Sequence, residues 1–382
     1  MKHYTIGGST ADRTINCPAW IKKSENIPKR KSGHAANLGS MFHEIMERCQ
    51  REGNEPRHYL DFEYDDGDGA EKIVFNLDHL PLANVAHHAT NTLLDKLDIN
   101  EFLIEPFVEL VPKTAGGSID LLGLSDDGKT ILILDYKFGK VKVNPERNAQ
   151  MLFYALSAFV DPNTKDLFDK VEKVELAIIQ PQHRGAVFRW SCDREDLLDF
   201  GKTVYSAIEQ VNQGASKGNP GKHCDWCPAA PYCVEKRDLI KSTLVLGTGS
   251  QNELTVAAGM VSEVEAWVKQ TKEELYLQLN RGVRVDGWKI VEKRAIRKWK
   301  DAEKAEAYLL KNVKKIPKKH LYKTELKTAP AMVTFFKDRN IDLNLDRLIE
   351  KKSSGTTLAT EHDSREAVIA TAITGELAKL MK

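Results

Sequence analysis

"GGSIDLLGLSDDGKTILILDYKFGK", residues 116–140, decides how the chain is read. Two apolar runs flank Asp127-Gly128, and Asp-Gly between strand-like runs is a strong signal for a two-residue hairpin turn. A turn centred between residues 127 and 128 sets Asp120 directly opposite Asp135. Like charges facing each other across a ladder destabilise it, so strand propensity does not explain the pair, whereas a shared cation would. Lys137 is two residues on from Asp135 and points to the same face. The stretch therefore predicts two carboxylates and an ammonium converging at the edge of a hairpin.

Outward from there, 382 residues allow two or more domains, each with its own core. Charged residues make up 29% and hydrophobic ones 41%, and the net charge of +1 points to no class of partner. The N-terminus lacks the apolar segment of a signal peptide, and no run reaches membrane-span length, so a cytoplasmic protein is expected. In that setting six cysteines are expected as reduced thiols or metal ligands rather than a disulfide framework.

Helical periodicity marks residues 35–50 and 82–97. The acidic 61–71 segment reads as a loop; it lacks the closing glutamate of an EF-hand. Residues 102–111 read as a strand, followed by the 118–139 hairpin. A helix is expected over 144–160, with Asn144 as N-cap and Pro145 at its first position. A strand over 171–181 and a helix over 193–213 follow. This order gives an α/β domain with a mixed sheet. Residues 1–243 are expected as this domain, 244–253 as a linker, and 254–382 as a basic, mainly helical accessory domain opening on a long helix at about 252–280.

Gly39 and His43 are four apart on the first helix, the glycine read as letting another backbone approach beneath the imidazole. Gln150 and Tyr154 share one face of the 144–160 helix. The ordered set Gly39-x3-His43, Glu109, Gly117-x2-Asp120, Asp135-Tyr136-Lys137 and Gln150-x3-Tyr154 resembles the RecB-type branch of the PD-(D/E)XK nucleases. That branch includes the nuclease domains of RecB and AddB and the CRISPR-associated RecB-like exonucleases. A lone D-x-K is weak, but five ordered elements on compatible secondary structure are not. The resemblance implies the restriction-endonuclease-like fold. It implies Mg²⁺ or Mn²⁺ held by His43, Asp120, Asp135 and the Tyr136 carbonyl, with Glu109 either as an additional ligand or as a group that supports the ligands. It makes Lys137 the group that orients water and stabilises developing charge, with Gln150 and Tyr154 positioning DNA or the lysine.

"HCDWCPAAPYC" places Cys224, Cys227 and Cys233 within ten residues, and Cys17 stands far upstream in "NCPAW". A Cys₄ zinc site and a [4Fe–4S] cluster compete for these ligands. The one-plus-three arrangement resembles the cluster of AddB and the CRISPR-associated relatives, which favours iron–sulfur, with zinc as the alternative. His223 is a weaker substitute ligand, and Cys49 and Cys192 read as structural thiols.

Residues 289–327 hold 14 Lys/Arg against 5 Asp/Glu, interleaved with Trp299, Tyr308 and Tyr322, a pattern read as phosphate contact. "STADRTINCPAW", "GSMFHE", "DYKFGK", "CDWCPAAPYC" and "GWKIVEKRAIRKW" together resemble a phage and prophage family of RecB-like proteins. "SKGNPGKH" (216–223) lacks the first glycine and the Ser/Thr of a Walker A motif, so the chain is not expected to unwind duplex DNA. The expectation is a metal-dependent exonuclease acting on DNA ends in a bacterial host cytoplasm, alongside a recombinase or single-strand-annealing partner. An endonuclease that trims structured DNA and a non-catalytic DNA-binding protein are the alternatives.

Overall fold

Alternate residues of 130–136 enter two different cores. Ile131 and Ile133 join one apolar cluster, while Leu132, Leu134 and Tyr136 join another, as the two-residue period of a strand requires. The computed structural model describes residues 4–28, 33–67, 72–244, 251–312, 317, 320–322, 326–337, 343–345, 347–353, 355–360 and 365–368. The chain divides into two units, residues 1–264 and 265–382.

The first unit contains, in chain order, α1 (Ala11–Asn16), α2 (Trp20–Ser24), α3 (His34–Glu52), β1 (Glu63–Tyr64), β2 (Ile73–Val74), α4 (Leu80–Lys96), β3 (Glu101–Ile104), β4 (Phe107–Val111), β5 (Ala115–Ser118), β6 (Leu121–Leu124), β7 (Thr130–Tyr136), α5 (Ala149–Val160), β8 (Lys173–Ile179), β9 (Val187–Cys192), α6 (Arg194–Asn212) and α7 (Val234–Leu244). Five strands form a mixed sheet in the order β3-β6-β7-β8-β9. Only β7 and β8 run parallel, and α5 supplies the crossover that a parallel pair needs. Residues of α3 and α4 pack on one face of the sheet, and those of α5 and α6 on the other. Because β7 is covered on both faces, it reads as a continuous apolar run rather than an alternating one.

Three local expectations are corrected. The 102–111 strand is two strands, β3 and β4, broken at Glu105-Pro106, where Glu105 has φ 51°. Proline has no N–H for a ladder, and β4 leaves to pair with β5 in a separate ribbon. The hairpin register is as expected, Leu121 facing Leu134, but its loop spans 126–129. Asp127 accepts bonds from Ser125 Oγ and Lys129 N, and Gly128 at φ 72° closes a turn onto the Ser125 carbonyl. The loop is symmetric about the same centre, so the register survives. Helix α5 begins at Ala149, not at Asn144. Arg147 at φ 49° cannot be helical, and Asn148 is the cap, its side chain accepting from Gln150 N and Met151 N.

The acidic loop also contains part of a short ribbon, β1 with β2. Of the expected linker, residues 245–250 lie outside the described residues, and 251–253 are already helical. That helix, α8 (Gln251–Asn280), extends into the second unit, which also holds β10 (Trp288–Glu292), β11 (Ile296–Trp299), α9 (Ala302–Asn312), α10 (Ala329–Lys337), β12 (Ile349–Lys352) and β13 (Thr356–Thr360). "Mainly helical" left out two antiparallel pairs, β10 with β13 and β11 with β12. In β11 and β12 lysine and arginine take half of the positions and mask the strand pattern. Of the aromatics read as interleaved with the basic patch, Trp299 and Tyr322 pack against the core of Leu309, Leu321, Met332, Phe336 and Leu345. Trp299 Nε1 donates to the Lys327 carbonyl and Tyr322 donates to Glu306. Among the described residues, no helix is long and apolar enough to cross a membrane.

Candidate metal centre

Asp120 stands one residue before β6, and Asp135 one residue before the end of β7. The ladder stops at the Leu121–Leu134 pair, just short of the rung on which the two aspartates would face each other. Each carboxylate has its own counter-charge. Asp120 Oδ1 lies 3.2 Å from His43 Nδ1 on α3, and Oδ2 accepts the Tyr136 backbone N–H at 2.6 Å. Asp135 shares the parity of Ile131 and Ile133 and so faces α5. There its Oδ1 accepts Gln150 Nε2 at 2.8 Å, and its Oδ2 meets Lys137 Nζ at 2.5 Å.

The N-cap explains how α5 presents Gln150. Asn148 fixes the first turn, which aims the amide at the end of β7. One turn later the Tyr154 hydroxyl lies 3.5 Å from Gln150 Nε2. Its ring lies against the backbone at Gly8 and Gly117, where a β-carbon would come within 2.4 Å and 3.2 Å of ring atoms. Those are the glycines that permit close approach. Gly39 is not one, since a β-carbon there meets nothing within 4 Å.

The structure brings in one residue that the sequence reading missed and leaves out one that it named. Glu105, at the break between β3 and β4, donates its backbone N–H to the Asp120 carbonyl at 3.2 Å. Between β5 and β6 Ile119 donates to the Pro106 carbonyl at 3.1 Å, and Arg51 Nη2 donates to the Ile104 carbonyl at 3.1 Å. Held in this way, Glu105 offers a ligand atom within 4.8 Å of those of His43 and Asp120. Glu109 is turned elsewhere, its carboxylate accepting from the Tyr4 hydroxyl and from Lys113 N. Tyr136 contributes its backbone, while its phenol is buried against Thr90 Oγ1 at 2.9 Å. The cue to Glu105 was the Glu-Pro dipeptide inside an apparent strand.

Charge follows from this geometry. Burial alone would lower the His43 pKa, but Asp120, its hydrogen bond and Asp135 outweigh it and hold the imidazolium up to about 9. Burial opposes ionisation of Asp120 too, yet His43, Lys137 and the Tyr136 N–H keep its pKa depressed. Desolvation wins at Asp135, whose pKa is raised despite Lys137. Desolvation and the Asp120 charge push Glu105 up to about 7. Lys137 is held above its ordinary value by Asp135 against the burial cost. A protonated His43 and an ammonium thus balance an excess of carboxylates, the balance that a bound cation would otherwise supply. One imidazole nitrogen with carboxylate oxygens is a donor set that suits Mn²⁺ or Mg²⁺.

A second centre lies in the same unit. Cys17, Cys224, Cys227 and Cys233 line one cavity with Arg13, Lys23 and His223. Asn219 N donates to Cys17 Sγ at 3.3 Å, and Gly221 N to Cys224 Sγ at 3.4 Å. His223 Nε2 is 2.8 Å from the Asn219 carbonyl oxygen. Burial raises the thiol pKa of Cys224 and lifts that of Cys227 to about 11, with Arg13 pulling the latter back. Cys49 and Cys192 lie apart from that cavity, buried thiols pushed up to about 12.

The family model described as "Protein of unknown function (DUF2800)" matches residues 3–366. No curated protein matches the chain. Among solved structures, an alkaline exonuclease (LHK-Exo) from Laribacter hongkongensis is similar at 11% identity and a TM-score of 0.23, over 54% of this chain and 92% of that one. The same enzyme in complex with dAMP gives 10% and 0.24 over the same shares. The structure of SSO0001 gives 12% and 0.25, over 56% of this chain and 94% of that one.

Proposed function

The chain belongs to the DUF2800 family, and we propose that it is a metal-dependent nuclease of the PD-(D/E)XK type that degrades DNA from its ends. One observation carries the reading. The His43, Glu105 and Asp120 ligand atoms lie within 4.8 Å of one another, beside a Lys137–Asp135 pair pinned by Gln150. A purely structural ion-pair network has little reason to hold three carboxylates and a histidine at one end of a sheet, with Glu105 in a backbone conformation that non-glycine residues seldom adopt.

His43, Glu105 and Asp120 would hold the cation, with Asp135 completing the set once Lys137 swings off its carboxylate. When bound, a divalent cation supplies Lewis acidity toward a phosphodiester oxygen and lowers the pKa of a nearby water. Lys137 orients the attacking water and places positive charge where the pentavalent phosphate gains negative charge. Gln150 keeps the Asp135 carboxylate in one rotamer, and Tyr154 limits how far Gln150 can move. Asp120, with one oxygen committed to the Tyr136 N–H, is fixed in orientation before any ligand arrives.

We further propose that the four cysteines, which line one cavity, hold a [4Fe–4S] cluster, with zinc as the alternative. Backbone N–H groups directed at the Cys17 and Cys224 sulfurs suit thiolates bound to either metal.

The test is digestion of end-labelled linear DNA and covalently closed circles with Mn²⁺ or Mg²⁺. Linear DNA is expected to shorten from its ends while circles survive. Nicking of circles would replace the exonuclease with an endonuclease, and no metal-dependent cleavage of either would remove the reading.

A further inference from the structure

Directly after Lys137 the chain runs through "FGKVKVNPER" (138–147), in which Lys140, Lys142 and Arg147 outnumber the single acid Glu146, all four exposed. This loop is fastened at several points. Phe138 is buried and stacked on Phe42, with centroids 4.4 Å apart. Gln180, fully buried, clamps Val143 through both backbone groups, accepting from Val143 N at 2.8 Å and donating to its carbonyl at 2.6 Å. Gln182 Nε2 donates to the Phe138 carbonyl at 2.5 Å. Lys142 Nζ lies 4.7 Å from the Phe188 ring centroid. The partner segment, 181–186, is itself a tight turn, with Gly185 at φ 93° and Ala186 at φ 51°, and carries exposed Arg184 and no acid.

A loop that only joined β7 to α5 would need neither a buried glutamine mimicking a strand partner nor a lysine-rich exposed edge. Fixing the backbone this firmly removes the entropic cost of ordering the loop when a ligand arrives. Apart from Glu146 the exposed charges of the two segments suit a polyanion, and the loop follows directly on Lys137. We propose that residues 138–147 and 181–186 form a preorganised phosphate-gripping rim, with Lys140, Lys142 and Arg184 holding the nucleic-acid backbone next to the centre and Gln180 setting their positions. This rests on the nuclease reading for its substrate, but it is tested by binding, which needs no cleavage.

The experiment measures the affinity of end-labelled DNA in EDTA at several salt concentrations. The variants are Lys140→Ala/Lys142→Ala/Arg184→Ala and, separately, Gln180→Leu, with Tm recorded for each. Loss of three phosphate contacts is expected to reduce the slope of log Kd against log salt by about 2 to 3 and to weaken binding at least tenfold at low salt. Gln180→Leu removes no charge, yet it is expected to weaken binding severalfold in protein that remains folded. Wild-type slope and affinity in the triple variant would overturn the rim, even if the wild-type protein cleaves DNA. A reduced slope in a protein that never cleaves would keep the rim and remove the nuclease.

Discussion

Glu105 and Asp120 are joined through their backbones, the Glu105 N–H donating to the Asp120 carbonyl at 3.2 Å at the break between β3 and β4. That bond holds a glutamate at φ 51°, a conformation that costs on the order of 1–3 kcal/mol unless the surroundings dictate it. Arg51 on the Ile104 carbonyl and Ile119 on the Pro106 carbonyl complete the enforcement.

If Glu105 is a ligand, Glu105→Gln should weaken Mn²⁺ binding about tenfold or more, whereas Glu109→Gln should leave it near the wild-type value. Calorimetric titration with Mn²⁺ distinguishes them. Equal affinities in the two variants would return Glu105 to a structural role.

Asp120→Asn, Asp135→Asn and Lys137→Ala should each lower DNA cleavage at least about a hundredfold, the usual cost of losing a preorganised charge at a reacting centre. Binding of DNA should persist in all three. Lys137→Ala also leaves a buried Asp135 carboxyl without its ammonium, at a stability cost of about 1–3 kcal/mol. Urea denaturation in EDTA reads that cost, and full activity in Asp135→Asn would end the mechanism.

What could be read in the sequence follows from which forces were local. The β6–β7 register was legible because Asp127-Gly128 marked the centre of the turn, and the pairing runs from Leu124–Ile131 to Leu121–Leu134, one step short of Asp120 and Asp135. The loop length was not, because Ser125 and Asp127 side chains bond the backbone and hold four residues out of the ladder. Gln150 and Tyr154 share a helix face as their spacing suggests, although the helix starts four residues later than Asn144 suggested, at the better cap. Glu105 was hidden by the apparent continuity of "FLIEPFVELV"; only the proline marked the break. That Trp299 and Tyr322 pack against a core could not be read from a charge count, because tertiary packing is invisible in it.

The metal-free protein should lose stability as pH rises. His43 has a folded pKa of about 9 against an ordinary 6.5, so its contribution is fully present below about 6.5 and vanishes as pH passes 9. Allowing for its partial exposure, the loss is on the order of 2 kcal/mol. Since a metal needs the neutral imidazole, Mn²⁺ affinity should rise over the same window. Thermal melts in EDTA from pH 6 to 10 check the first trend. A flat profile that His43→Asn leaves unchanged would mean that the imidazole is neutral throughout.

The cysteines give the last expectation. Cys17 follows α1, and Cys224, Cys227 and Cys233 precede or begin α7, so a group bound by all four closes a loop of about 200 residues, for which chain-entropy models give on the order of 5 kcal/mol. The two ends also meet through Ala215 and Cys227, packed against Cys17, Ala19 and Trp20, through Lys23 paired with Glu235 at 2.8 Å, and through Asn219 Nδ2 donating to the Asn16 carbonyl at 2.8 Å. A part-exposed ion pair of this kind contributes at most about 1 kcal/mol. Cys17→Ala or Cys233→Ala should therefore lower Tm by several degrees and reduce cleavage indirectly, by loosening the segment that leads into α3 and His43. Protein purified without oxygen should be brown and hold roughly four irons per chain, the content of a cubane cluster. Colourless protein with one zinc, and a Tm indifferent to iron chelation, would leave the clasp in place and change its metal.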